Sequence, residues 1–186
     1  MSLIDIKRPP VRLEGRNSDL EGILLPPVVE KIRPHLPPFL RESSTWILSY
    51  SLDQHGISLN TLYRRSEENG PSLVVIRDGD GGTFGAFASE ALHIEPTYFG
   101  NGECFLWKLS DDGDIQVYPA TGANEYLIYG EPHMFAFGGG QGRFGLWISD
   151  DLYNGHSEPC DTFKNAQLSA KSEFIVVAIE IWSFKI

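Results

Sequence analysis

The stretch Glu173-Phe-Ile-Val-Val-Ala-Ile-Glu-Ile-Trp-Ser-Phe184 decides the fold. Phe174, Val176, Ala178 and Trp182 alternate with Ile175, Val177, Ile179 and Ile181, so both faces of one strand are apolar. Alternation with β-branched side chains specifies a strand, and apolar residues on both faces specify a central one. Upstream, Leu73-Val-Val-Ile76, the turn Asp78-Gly-Asp80-Gly-Gly82 and Thr83 to Ala88 form a hairpin signal. Glu103 to Leu109 places Phe105, Trp107 and Leu109 on one face, and Asp111 to Asp114 turns the chain into Ile115 to Tyr118. Glu125 to Tyr129, Met134 to Phe137 and Phe144 to Ile148 supply further strands, and Trp46 to Tyr50 opens the series. So many strands with so few helices predict a mainly β, α+β fold, with two antiparallel sheets packed as a β-sandwich.

Two short helices and one-turn helices should flank the sandwich. One runs through Val28, Val29, Ile32 and Leu36, entered at Pro26 and Pro27 and stopped by Pro34, Pro37 and Pro38. The other begins at Ser58, a capping residue, with Leu59, Leu62 and Tyr63 as its apolar stripe. Residues 1–22 mix charge, Pro and Gly with few apolar residues and read as a linker or flexible arm; residues 23–186 read as a single domain.

Composition narrows the function. The chain has 186 residues, 41% of them hydrophobic, enough for one packed core. Its net charge of −10 is uneven: residues 1–65 carry 9 basic and 7 acidic groups, whereas residues 66–186 carry 6 and 18. An acidic body repels phosphate backbones, so no nucleic-acid partner is expected; a basic protein partner would be attracted. Cys104 and Cys160 are too few for a disulfide scaffold, which suits a reducing, cytoplasmic setting. Met1 to Pro10 has no apolar core of a signal peptide, and the run Phe174 to Ile179 is too short to span a bilayer, so no direct membrane insertion is expected.

Several motifs fail for want of context. Gly140-Gln-Gly142-Arg-Phe-Gly145 fits the dinucleotide pattern, yet a strand follows where a helix is required. It reads as a Gly-rich hairpin. The Asp78 to Gly82 run begins like a calcium loop but holds Thr83 and Ser89 where glycine and a bidentate glutamate belong. Gly155-His-Ser157-Glu-Pro159 resembles a nucleophile elbow that ends in proline, and the adjacency of His156 does not set an imidazole on the Ser157 hydroxyl. His93 and Glu95 can share a strand face, but nothing nearby completes a metal set, so neither metal nor cofactor is expected.

Two residues stand out. Cys160, between Pro159 and Asp161, reads as a partly exposed loop thiol and the redox candidate; the neighbouring carboxylate argues against a strongly activated thiolate. Glu180 interrupts the central strand, and a buried carboxylate demands a partner. Either an ion pair or loop amides satisfy it, or it organises a polar site between the sheets and the Gly-rich hairpin.

Taken in order, these segments resemble the TLDc domain of the oxidation-resistance proteins. The resemblance is carried by Trp46 to Tyr50, His55-Gly-Ile-Ser-Leu59, Leu62-Tyr-Arg64, Phe84 to Glu90, Tyr98 to Phe105, Phe137 to Gly140 with Leu146-Trp147, Gly155 to Phe163, and Glu180-Ile-Trp182. It implies a non-catalytic interaction module that protects against oxidative stress by binding peripheral subunits of the V-type proton ATPase. It also implies a cytoplasmic, monomeric domain, with mitochondrial or nuclear pools compatible. On that basis Gly138, Gly139, Gly140 and Gly142 should shape the docking hairpin, and Ser157, Thr162 and Glu180 should brace the adjoining loop. Ser89, Glu90 and His55 are further candidates. A Cys160-dependent scavenger and an unrecognised enzyme stand as the alternatives.

Overall fold

The computed structural model describes residues 8–17, 19 and 22–186. The strands run β1 (Arg12–Glu14), β2 (Thr45–Ser51), β3 (Ser72–Asp78), β4 (Thr83–Ala88), β5 (Phe105–Leu109), β6 (Ile115–Pro119), β7 (Ile128–Glu131), β8 (Met134–Phe137), β9 (Leu146–Ser149), β10 (Asn154–His156) and β11 (Glu173–Lys185). Four short helices join them: α1 (Pro26–Ile32), α2 (Pro38–Arg41), α3 (Leu52–His55) and α4 (Leu59–Glu67).

The long strand β11 belongs to both sheets. Its first residues pair with β10, leading outward through β9, β8 and β7. Its later residues pair with β3 on one side and β2 on the other, and β3 leads to β4, β5 and β6. The register shifts between Val176 and Ala178, where the strand passes from one sheet to the other. An extra residue bends a strand and strengthens its twist, which lets one strand serve two packed layers.

The expected sandwich is therefore present, and its core fills the space between the layers. Val74, Ile76, Phe84 and Leu106 from one sheet meet Ile128, Phe135, Phe137 and Ile148 from the other. A second core lies on the outer face of the larger sheet, where Val28, Val29 and Ile32 of α1 cover Trp46, Leu73, Phe105, Trp107 and Trp182. That second layer is why both faces of β11 are apolar at Ile179, Ile181 and Trp182, all buried. The sandwich core lies under the first half of the strand too, but Ile175 and Val177 point outward and are exposed. The both-faces-buried reading of the strand holds only for its second half.

Local signals are realised with small shifts. Ser58 caps α4, its hydroxyl accepting from the Thr61 amide at 3.2 Å. The helix predicted through Leu36 breaks at the prolines into α1, a 3₁₀ turn over Arg33–His35 and α2. The Asp78 turn is a hairpin loop: Asp78 Oδ1 accepts from the amides of Asp80 and Gly82 at 3.1 and 2.8 Å. Within the stretch read as a flexible arm, residues 12–14 form a strand parallel to β2, and Val11 is buried. The part of that reading over residues 1–7, 18, 20 and 21 lies outside the described residues.

Candidate functional site

The β8–β9 hairpin carries the Gly-rich turn, and it closes over the loop that follows β10. Gly138 and Gly140 sit at φ of +81° and +109°, a region that a Cβ disfavours. Space forbids a side chain as well. A Cβ on Gly138 would lie 2.6 Å from Cys160 Sγ, and one on Gly140 would lie 2.8 Å from Asp161 Oδ2. The side chains of Cys160, Asp161 and Phe163 pack directly on the turn's backbone because the turn has no side chains there.

The second loop is held by its own polar groups. Ser157 donates to the Gly145 carbonyl at 2.7 Å and accepts from the Leu168 amide at 2.9 Å. Thr162 Oγ1 accepts from the Gly139 amide at 2.9 Å and donates to Asn124 Oδ1 at 2.8 Å. Thus Ser157 and Thr162 do join the Gly-rich turn to its neighbour. His156 turns away from Ser157 to Glu158, 3.1 Å from its carboxylate. The serine hydroxyl is fully buried and committed to backbone groups, and among the described residues no base is hydrogen-bonded to it.

Cys160 differs from the sequence reading. Its residue is only 6% exposed, under Gly138 and Gly145, and not in a partly open loop. Asn165 Oδ1 accepts from the Cys160 amide at 3.2 Å and lies 3.3 Å from the sulfur. Burial pushes the thiol up from its ordinary value, and Asp161 adds to the effect. Cys104 is buried too, its thiol donating to Ser89 Oγ at 3.3 Å.

Glu180 does not brace this loop. On β11 it faces the N-terminal segment, accepting from Arg16 Nη1 at 2.5 Å, the Ile23 and Leu24 amides at 3.2 and 3.3 Å, and Trp182 Nε1 at 3.1 Å. The demand for a partner was legible; the partner was not. The weaker candidates are scattered. Ser89 Oγ accepts from the Asn101 amide, and His55 Nδ1 accepts from the Ser51 amide at 2.9 Å. Glu90 is exposed, its carboxylate 3.8 Å from His93. Gly142 lies at the open tip of the turn, with nothing within 4 Å of its would-be Cβ.

Three tyrosines, read in the sequence as parts of a strand and of a resemblance segment, were not singled out as site residues. Tyr98 lies with its ring 4.9 Å from that of Tyr126 and 5.1 Å from that of Tyr129. A Cβ on Gly139 would come within 3.0 Å of both the Tyr98 hydroxyl and Tyr126, so the cluster abuts the Gly-rich turn. Tyr98 comes from a different segment than Tyr126 and Tyr129, and the backbone bridge between Phe99 and Ile128 joins the two. Among the described residues no group of three or more His, Cys, Asp or Glu side chains could hold a metal ion. No helix there is long and apolar enough to cross a membrane.

The ordered segments that carried the resemblance thus form one fold, and the TLDc domain profile matches residues 18–185. The chain belongs to the TLDc domain family. This TLDc chain is 38% identical over 183 residues to oxidation resistance protein 1 of Yarrowia lipolytica, covering 94% of the chain and 79% of that protein. It is 43% identical over 169 residues to human oxidation resistance protein 1, covering 90% of the chain and 19% of the relative. Chicken nuclear receptor coactivator 7 is 41% identical over 158 residues, covering 84% of the chain and 17% of the relative. The TLDc chain therefore spans about a fifth of the length of its vertebrate relatives.

Proposed function

We propose that this TLDc domain is a non-catalytic binding and regulatory module in protection against oxidative stress, acting in the cytoplasm as a monomer on the peripheral subunits of a V-type proton ATPase. One observation carries the reading. The side chains at the paired loops that have chemistry to offer, Ser157, Cys160 and Thr162, are buried and bonded to the loops themselves. What the site presents outward is the shape of the turn and a tyrosine surface, in the acidic half of the chain. The names of the relatives support the oxidative-stress role. The family resemblance supplies the proton pump, and the acidic half of the chain suits a basic docking partner.

A binding module regulates by differential affinity: it favours whichever assembly state of the pump it binds more tightly. Protection is then indirect, through proton traffic, and needs no turnover of an oxidant. The buried thiol counts against the rival scavenger, because nucleophilic attack on peroxide needs an accessible thiolate.

The test is capture of pump subunits by the purified chain from cytosol and membranes at low and high salt. Recovery of peripheral subunits, weakened by salt, is expected. No recovery at low salt, or peroxide consumption by the pure chain that is abolished by Cys160→Ser, overturns the proposal.

A further inference from the structure

The Tyr98, Tyr126 and Tyr129 cluster is built as a surface, not as core. Tyr126 is 45% exposed and the other two rings are half-buried. The rings tilt at 37° and 46° to that of Tyr98 and together form one contiguous aromatic wall. Gly139 forms the edge of that wall, and any side chain there would run into it.

Carboxylates stand beside the wall, and Arg143 of the same turn is already paired with Glu158 at 3.5 Å. Glu131 lies 3.4 Å from the Tyr129 hydroxyl, Glu125 precedes Tyr126, and Asp161 flanks Gly140. Among the described residues none of these three carboxylates is ion-paired. Electron-rich ring faces attract a cation, carboxylates at the rim add to the pull, and a planar guanidinium can stack while keeping its N–H groups for the rim.

We infer that the tyrosine wall, with Glu131 at the Tyr129 hydroxyl and Asp161 at Gly140, is a docking site for an arginine side chain on a basic segment of a protein partner. The inference rests on the binding-module reading and gives that module a contact point. A ring removed from the wall removes cation–π attraction without changing net charge, which separates this site from general attraction to an acidic protein.

The experiment is anisotropy of a labelled hexa-arginine peptide titrated with the full chain at low salt. Tyr98→Ala and Tyr126→Ala should each weaken binding by about tenfold. Tyr126→Phe, which keeps the ring, and Tyr153→Ala, at an exposed tyrosine elsewhere, should stay within about twofold of the parent. Tyr126 is exposed, so its variants keep the test intact where Tyr98→Ala lowers the melting temperature. No binding by the parent, equal binding by Tyr126→Ala, or equal loss in Tyr153→Ala overturns the site. Capture of the proton pump is read in parallel. Undiminished capture by Tyr126→Ala overturns the site and leaves the pump reading standing; ring-dependent peptide binding without pump capture supports the site and overturns the pump reading.

Discussion

Arg16 Nη1 stands 2.5 Å from Glu180 Oε2, joining two residues 164 apart in the chain, and the glutamate side chain is only 2% exposed. The same carboxylate collects the amides of Ile23 and Leu24 and the indole N–H of Trp182. One buried anion thus fastens the N-terminal segment to the strand shared by both sheets.

Removing that anion should cost more than removing its cation. In Glu180→Ala two backbone amides and an indole N–H lose their acceptor in a buried place, while Arg16 keeps Asp53 at 3.3 Å and Ser51 Oγ at 3.5 Å. Three buried N–H groups without an acceptor, at about 1–3 kcal/mol each before relaxation, give an expected loss of about 3–5 kcal/mol. Arg16→Ala leaves the carboxylate three N–H donors and should cost about 1–3 kcal/mol. Urea unfolding of both variants measures the order, and an equal or inverted order refutes the account.

The Gly-rich turn should be intolerant in proportion to what its glycines touch. Gly138→Ala combines a left-handed φ with a Cβ 2.6 Å from Cys160 Sγ and 2.9 Å from Phe163. The expected loss is about 2–4 kcal/mol, from backbone strain and overpacking together. Gly142→Ala has a similar φ of +73° but open space, so about 1 kcal/mol is expected. Thermal unfolding that ranks Gly142→Ala as the worse of the two contradicts the packing argument.

What could be read from the sequence was what repeats locally. The two apolar faces of β11, the Asp78 hairpin and the Ser58 cap each lie within a few consecutive residues, so periodicity or a single side chain exposes them. Strand β1 is three residues long and pairs in parallel with a strand more than thirty residues on, which leaves no local period. Cys160 looked open because Pro159 and Asp161 flank it, whereas Gly138 and Gly145 of the Gly-rich hairpin lie against its sulfur. Glu180 announced its need for a donor by sitting in an apolar strand, yet Arg16 supplies it from the far end of the chain. The tyrosine wall was invisible for the same reason: only tertiary pairing of Phe99 with Ile128 brings its rings together.

Both thiols should be inert while the chain is folded. Burial raises Cys104 and Cys160 alike, so the protonated form predominates at neutral pH and reagents have no path to the sulfur. A disulfide reagent such as DTNB should label neither cysteine at neutral pH in buffer and should label both rapidly in guanidinium chloride. Fast labelling of native Cys160 would return the scavenger hypothesis to contention.

The histidines His93 and His55 should move stability in opposite directions with pH. Burial works against a charge on His93, but its contact with the Ala91 carbonyl at 2.7 Å, the Glu95 carboxylate at 3.1 Å and the more distant Glu90 outweigh burial and raise its pKa. His93 then contributes stability that is complete below its unfolded value of 6.5 and fades as pH rises through the higher folded value. For His55, burial and then the Arg65 charge lower the pKa against the pull of Asp53, and its Nδ1 must stay unprotonated to accept from the Ser51 amide. Its contribution is present above the same unfolded value and is lost as pH falls toward the lower folded one. His93→Gln should therefore cost more at about pH 6 than at about pH 8, and His55→Gln the reverse. Imidazole titration by NMR, with His93 above 6.5 and His55 below it, checks the premise, and urea unfolding across that range checks the consequence.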